Sequence, residues 1–177
     1  QYIDWGPFFQ TWDLAGAFPA ILNDEVVGES ARRVYSDGKA MLERIVAGRW
    51  LTANGVIMFA PANSAGDDIE LYTDETRSER LFTWHNLRQQ TAKREGVANK
   101  CLADYLAPKE IDGRPSGIAD WIGMFAVTAG IGAEKKEKEF VALLDDYSAI
   151  MFKAIADRLA EAFAECLHAR VRRDLWG

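Results

Sequence analysis

The chain has 177 residues, 49% hydrophobic and 27% charged, a balance that suits a globular fold with a sizeable core and argues against disorder. Its formal net charge of −6 excludes broad nucleic-acid binding, which needs basic patches. No apolar run is long enough for a membrane span and no signal-peptide pattern opens the sequence, so a cytoplasmic setting is expected, with neither membrane nor nucleic acid as partner.

The opening is aromatic and irregular: Trp5, Phe8, Phe9 and Trp12 crowd into a stretch broken by Gly6 and Pro7. Chain ends normally fray, so this much apolar surface predicts docking against a body or a cut inside a larger domain, and the four aromatics read as core. Residues 19–48 then read as a helix. Val27, Ala31, Val34, Met41, Leu42 and Ile45 have roughly helical spacing, Asn23 or Asp24 can cap the start, and Gly48 suits the stop.

A β section follows. Residues 55–62 are β-branched and aromatic, 64–68 form a turn, and 68–73 alternate Ile69, Leu71 and Thr73 against Asp68, Glu70 and Tyr72. Residues 80–87 resume a mixed apolar run. Residues 87–96 and 110–117 read as loops, the latter plain and dense in Gly and Pro, and 101–108 are too short to assign. Residues 121–128 are the clearest strand. These four strands are expected to share one mainly antiparallel sheet. Asp67, Asp68 and Asp74 lack calcium-loop spacing and suit turn chemistry, and His85 to Gln90 read as structural polar contacts.

The charges of residues 132–140 read as a solvated helical face, followed by a bend near Asp145 and a long last helix. On that helix Tyr147, Met151, Ile155, Leu159, Ala162, Phe163, Cys166 and Leu167 recur at three-and-four spacing, so Leu159, Phe163 and Cys166 should pack on the body. Asp157, Glu161 and His168 lie off that stripe, on a line that faces either water or a cationic ligand. The basic RVRRD run complements the helix dipole. Cys101 and Cys166 form no metal or redox spacing, His85 and His168 are the only histidines, and no protein metal site is expected. Without regular strand–helix alternation the fold class is α+β: a mainly antiparallel sheet, flanking helices and a long C-terminal helix, in one domain over 1–177.

Five segments in order carry a family resemblance: YIDWGPFFQTWDLAG with ILNDEVVG; FAPAN with GDDIELYTDETR; HNLRQQT; CLADYLAP with IGMFAVTAG; and DDYSAIMFKAIADRLAEAFAECLHARVR with LWG. Together they resemble the activation domain of cobalamin-dependent methionine synthase. The resemblance implies an S-adenosylmethionine-binding domain in a cytosolic methyltransferase that methylates homocysteine from methyltetrahydrofolate. It also implies two partners, a cobalamin-binding domain of the same enzyme and a flavodoxin-like or other reductase. The family pattern begins upstream of Gln1 and continues past LWG into an Arg-x-x-x-Gly-Tyr-Pro-Ala-Cys-Pro segment. The chain is therefore expected to be the middle portion of a larger domain, inactive alone.

S-adenosylmethionine carries a sulfonium and an ammonium, and both favour nearby carboxylates. Read from the residues alone, Asp4 is an exposed acid, Glu161 a solvated helix acid and Asp157 a surface acid pairing locally. The resemblance makes Asp4 and Glu161 cofactor-binding candidates, with Asp157 a candidate for the side that meets the corrin. It implies no protein nucleophile. The protein orients the donor, excludes water and shapes the local charge while the methyl group passes to reduced cobalamin. The alternative is a non-catalytic interaction module that docks the cobalamin domain and the flavodoxin-like reductant.

Overall fold

The computed structural model describes residues 1–176. Gly177, the last residue of the LWG segment, lies outside the described residues. In chain order the elements are α1 (Gly6–Gln10), α2 (Gly28–Gly48), β1 (Thr52–Ala65), β2 (Asp68–Tyr72), β3 (Arg80–Trp84), β4 (Glu110–Ile111), β5 (Arg114–Pro115), β6 (Asp120–Ile131), α3 (Ala133–Ala142) and α4 (Asp146–Arg170). Short 3₁₀ turns occupy Ala20–Asn23 and Leu102–Tyr105, and a π turn occupies Val171–Leu175. The four predicted strands form one sheet in the order β3-β2-β1-β6, with β1–β2 and β2–β3 antiparallel. The fold is α+β, as expected.

Contacts group the chain into two compact units: Gln1–Val56 together with the stretch from Phe125 on, and Ile57–Met124. The first is largely helical. Its core joins Trp5, Phe8 and Phe9 to Ala31, Met41 and Ile45 of α2 and to Met151, Phe152 and Ile155 of α4. The aromatic opening therefore docks as core. Phe8 reaches so close to α2 that a Cβ on Gly38 would sit 2.7 Å from its ring, which is why a residue without a side chain occupies this mid-helix position. On α4, Met151, Ile155 and Ala162 are buried and Leu159 packs against the core. Phe163 and Cys166 are only half-buried, and Phe163 lines an open groove rather than packed core. Tyr147 is exposed, and Phe152, outside the predicted stripe, is 1% exposed.

Several boundaries differ from expectation for physical reasons. Helix α2 begins at Gly28, not near Pro19. Asp24 caps the turn that leads into it: the carboxylate accepts from the N–H groups of Val26 and Val27 (2.8 and 2.9 Å), and the carbonyl accepts from Gly28 N–H at 3.0 Å. Gly48 is still helical, and Arg49 takes the left-handed C-terminal position at φ 48°. The bend near Asp145 is real: Leu144 has φ 58°, and the Asp145 carboxylate accepts from Ser148 N–H at 3.0 Å as the N-cap of α4. The plain loop expected at 110–117 is instead a hairpin. Asp112 and Gly113 both have positive φ between β4 and β5, the two-residue turn that Asp-Gly favours.

In the second unit the sheet packs Ala60, Ala62, Ile69 and Leu71 against Cys101 and Ala103. The unassigned 101–108 stretch supplies that cover through its 3₁₀ turn, where the Asp104 carboxylate accepts from Cys101 N–H at 2.9 Å. The acids of 67–74 act in turns and pairs: Asp74 accepts from the Thr76 N–H and hydroxyl, Asp68 contacts His85, and Asp67 contacts Arg88. Among the described residues no helix is long and apolar enough to cross a membrane.

Candidate functional site

Two of the three candidate acids pair with a residue that the sequence reading passed over. Asp157 and Glu161 lie on α4 and flank the guanidinium of Arg158 from two sides. Arg158 Nη2 donates to Asp157 Oδ2 at 2.5 Å, and Nη1 donates to Glu161 Oε2 at 2.7 Å. The Arg158 side chain is 11% exposed, whereas those of Asp157 and Glu161 are 72% and 63% exposed. The cation is thus sunk beneath the two acids, and the outward surface is carboxylate. This ordering follows from side-chain length and the apolar stem of arginine, which covers helix surface while its head reaches polar partners.

Asp4 acts on the same guanidinium through its charge. It sits just before α1, where its Oδ1 accepts from Gly6 N–H at 2.9 Å. Its charge is felt by Arg158, whose proton is held more tightly than usual. The bond to Asp157 contributes most to that, and the charges of Glu161, Asp157 and Asp4 add to it. Two carboxylates therefore pair with one guanidinium, and the charge of Asp4 adds to theirs. The packing of α1 on α4 brings the two ends of the sequence together here, through Phe8 and Phe9 on one side and Met151 and Ile155 on the other.

Beside these residues in the chain runs an open apolar cavity of about 680 Å³. Its lining includes Tyr2, Ile3, Leu51, Leu159, Ala162 and Phe163, so Ile3 adjoins Asp4 and Ala162 adjoins Glu161 in sequence. The volume is in the range of small-molecule sites. Phe163 packs over Gly55, where an added Cβ would lie 3.1 Å from the ring. His168, on the predicted acidic line, is not part of the acid group; its ring stacks on Phe125 at 6.0 Å between centroids.

Arg158 was legible in principle. Its i,i+3 spacing to Glu161 and adjacency to Asp157 mark an ion-pair geometry. A search for acids that suit a cationic ligand has no reason to weigh the base already holding them. Chemically, the exposed carboxylate face fits the cationic groups of a sulfonium amino acid. Among the described residues, no group of His, Cys, Asp and Glu is arranged to hold a metal ion.

The chain matches the family described as vitamin B12 dependent methionine synthase, activation domain, over residues 1–177. A crystal structure of the MetH reactivation domain bound to AdoHcy is 55% identical to it, with a TM-score of 0.89. That match covers 99% of this chain and 52% of the other, so the chain spans about half the length of its solved relative. With the family pattern matched along its whole length, this chain belongs to the activation-domain family of vitamin B12-dependent methionine synthase.

Proposed function

We propose that this chain is the donor-binding part of the reactivation module of a cobalamin-dependent methionine synthase. It binds S-adenosylmethionine and presents the methyl group to reduced cobalamin. The observation that carries this reading is the 55% identity, over nearly the whole chain, to a reactivation domain bound to AdoHcy, the demethylated form of the donor. The convergence of Asp4, Asp157 and Glu161 supports it from the geometry.

In this reading Asp4 and Glu161 hold the cationic end of the donor, and Asp157 lies toward the corrin. Bound cobalamin, carried by another domain of the same enzyme, supplies the nucleophile. The residues of this chain bind, orient and screen. Arg158 fixes the rotamers of both helix acids, so they are placed before the donor arrives and less ordering accompanies binding. It also offsets part of their charge. An uncompensated row of carboxylates would stabilise the sulfonium of the ground state and slow transfer. The site works in a cytoplasmic enzyme, with a flavodoxin-like or other reductase as electron donor, and this portion alone is inactive.

Calorimetry on the parent protein tests the assignment. Asp4→Asn should weaken donor binding by roughly 1.5–3 kcal/mol, the scale of a hydrogen bond to a charged group, and Glu161→Gln by less if a water intervenes. If the acids hold the amino-acid end, both variants lose similar affinity for donor and S-adenosylhomocysteine. If they hold the sulfur, donor binding alone suffers. Unchanged donor affinity in both folded variants would sink the assignment.

A further inference from the structure

The second unit contains a polar cavity that the donor reading does not use. It has a volume of about 280 Å³, and its lining includes Asn63, Tyr72, Arg77, Lys109, Ser116 and Gly117. We propose that it is a binding site for a small oxyanion, a carboxylate or a phosphate group.

Arg77 carries the argument. It sits in the left-handed region at φ 54°, a conformation that side-chain-bearing residues seldom adopt and that the surrounding structure must enforce. Its guanidinium is fixed at three points: Nε donates to Asn63 Oδ1 (3.1 Å), Nη1 to Glu75 O (3.1 Å) and Nη2 to Asp120 O (2.6 Å). All three acceptors are neutral, and among the described residues no carboxylate pairs with Arg77. One N–H on each terminal nitrogen remains undirected, in the planar fork that suits an oxyanion. Its anchor Asn63 is itself locked, 3% exposed and donating to Ala107 O and Ile118 O.

The neighbouring charges leave the cavity cationic. Lys109 Nζ donates to Glu70 Oε2 at 2.8 Å and keeps two further donors. Glu70 is 8% exposed and already receives Lys109, Arg80 and the Tyr72 hydroxyl, so its charge is more than matched. The Asp120 carboxylate is engaged by the N–H groups of Ala107 and Trp121, and Glu110 bears on Lys109 only through its charge. Gly117, at φ 68°, presents no side chain at the rim. At about 30 Å³ per water, the volume admits one small anion with part of its hydration. A fixed, unpaired guanidinium and a partly free ammonium facing one cavity are the elements of charge-assisted anion binding.

The test is a titration of the parent protein with sodium acetate and, separately, with inorganic phosphate, at ionic strength held constant with chloride. The readout is the backbone amide signals of residues 116–119. Saturable binding at about the millimolar level is expected for at least one anion, and the tighter one assigns carboxylate or phosphate. Arg77→Met and Lys109→Met should each weaken it roughly tenfold, with Arg77→Lys intermediate. Should Arg77→Met not fold, Lys109→Met decides, because that side chain is about half exposed (47%). Donor affinity should stay unchanged in Lys109→Met, which separates this site from the acid group around Arg158. No saturable response to either anion, or a Lys109→Met titration that matches the unaltered protein, would overturn the proposal.

Discussion

The two units of this chain are held together by different means. In the first, large aromatic side chains dominate: Phe8, Phe9 and Phe152 are at most 1% exposed, and Trp5 packs edge-on to both Phe8 and Tyr35. In the second, the buried set is small, with Ala60, Ala62 and Ala103 beside Ile69 and Leu71. What that core lacks in size is made up by polar ties between distant segments. Arg88 joins Asp67 of the β1–β2 turn to Asp104 of the 3₁₀ turn, and Glu70 of β2 collects Lys109 and Arg80. The helical unit also has charged groups, but they are mostly local: Asp24 and Asp145 close turns within three residues, and Lys136–Glu139 and Lys138–Glu134 are single-turn pairs on α3. Burial that scales with area should resist pH. Ties made of ions should not.

The largest effects should come from the cores. Phe152→Ala should cost about 3–5 kcal/mol, and Leu71→Ala about 2–5 kcal/mol, by lost burial and the cavity left behind. Hydrogen exchange read by segment separates the two. Leu71→Ala should deprotect residues 57–124 before the α2 and α4 amides, and Phe152→Ala the reverse. Equal deprotection throughout the chain in both variants would erase the distinction between the units.

Acid should reach the second unit first. The bonds from Arg88, then that from Cys101 N–H, hold Asp104 at about 2, below its ordinary 3.8. Glu70 is likewise lowered, first by its bond to Lys109. A carboxyl with a depressed folded value stabilises the fold fully above its unfolded value and loses that contribution as pH falls. For Asp104 the loss runs from near 3.8 down through about 2. Both groups tie separate segments, so their protonation loosens tertiary structure rather than one turn. Exchange protection in 57–124 should fall between about pH 4 and pH 2. Asp104→Asn should flatten that fall at the cost of lower protection at neutral pH, because the variant has no carboxyl at this position to take up a proton. A helical unit that loses protection at higher pH than the sheet would reverse the comparison.

The same contrast explains what the sequence disclosed. Strands at residues 55–62, 68–73, 80–87 and 121–128 were legible because alternation and apolar runs mark them, and the observed strands overlap all four. The docking of Trp5, Phe8 and Phe9 was legible because so much aromatic surface has no other place to go. Ties such as Arg88 with Asp67 and Asp104 carry no periodic signal, since their partners lie 21 and 16 residues away. The start of α2 was misread because residues 20–23 form a 3₁₀ turn of their own, and the apolar spacing that runs through it does not show where the helix proper begins. Of the site, its acids were read through a resemblance, and the base beneath them was not. Asp157 and Glu161 meet Arg158 at a local spacing on α4, whereas the approach of Asp4 depends on α1 meeting α4, a contact between distant parts of the sequence that no local pattern encodes.

The smallest effect tests whether the polar tie between α2 and α4 contributes to the helical unit. Tyr147, at the start of α4, donates its hydroxyl to Asp37 of α2 at 2.6 Å. Burial, then the bond to Asp37, pushes its ionisation up to about 12 from an ordinary 10.0. Because the folded value is raised, the contribution is complete below the unfolded value and is lost as pH rises from 10.0 through about 12. The residue is 46% exposed, so solvent screens the bond, and Tyr147→Phe should cost no more than about 1 kcal/mol at neutral pH. The sharper readout is alkaline. Phenolate absorbance should show one tyrosine fewer titrating near 12 in the variant, and its stability should decline less over that interval. A variant whose alkaline stability curve overlays that of the unaltered protein would mean that the α2–α4 contact rests on packing alone, Met41 of α2 and Met151 of α4 being buried beside this pair.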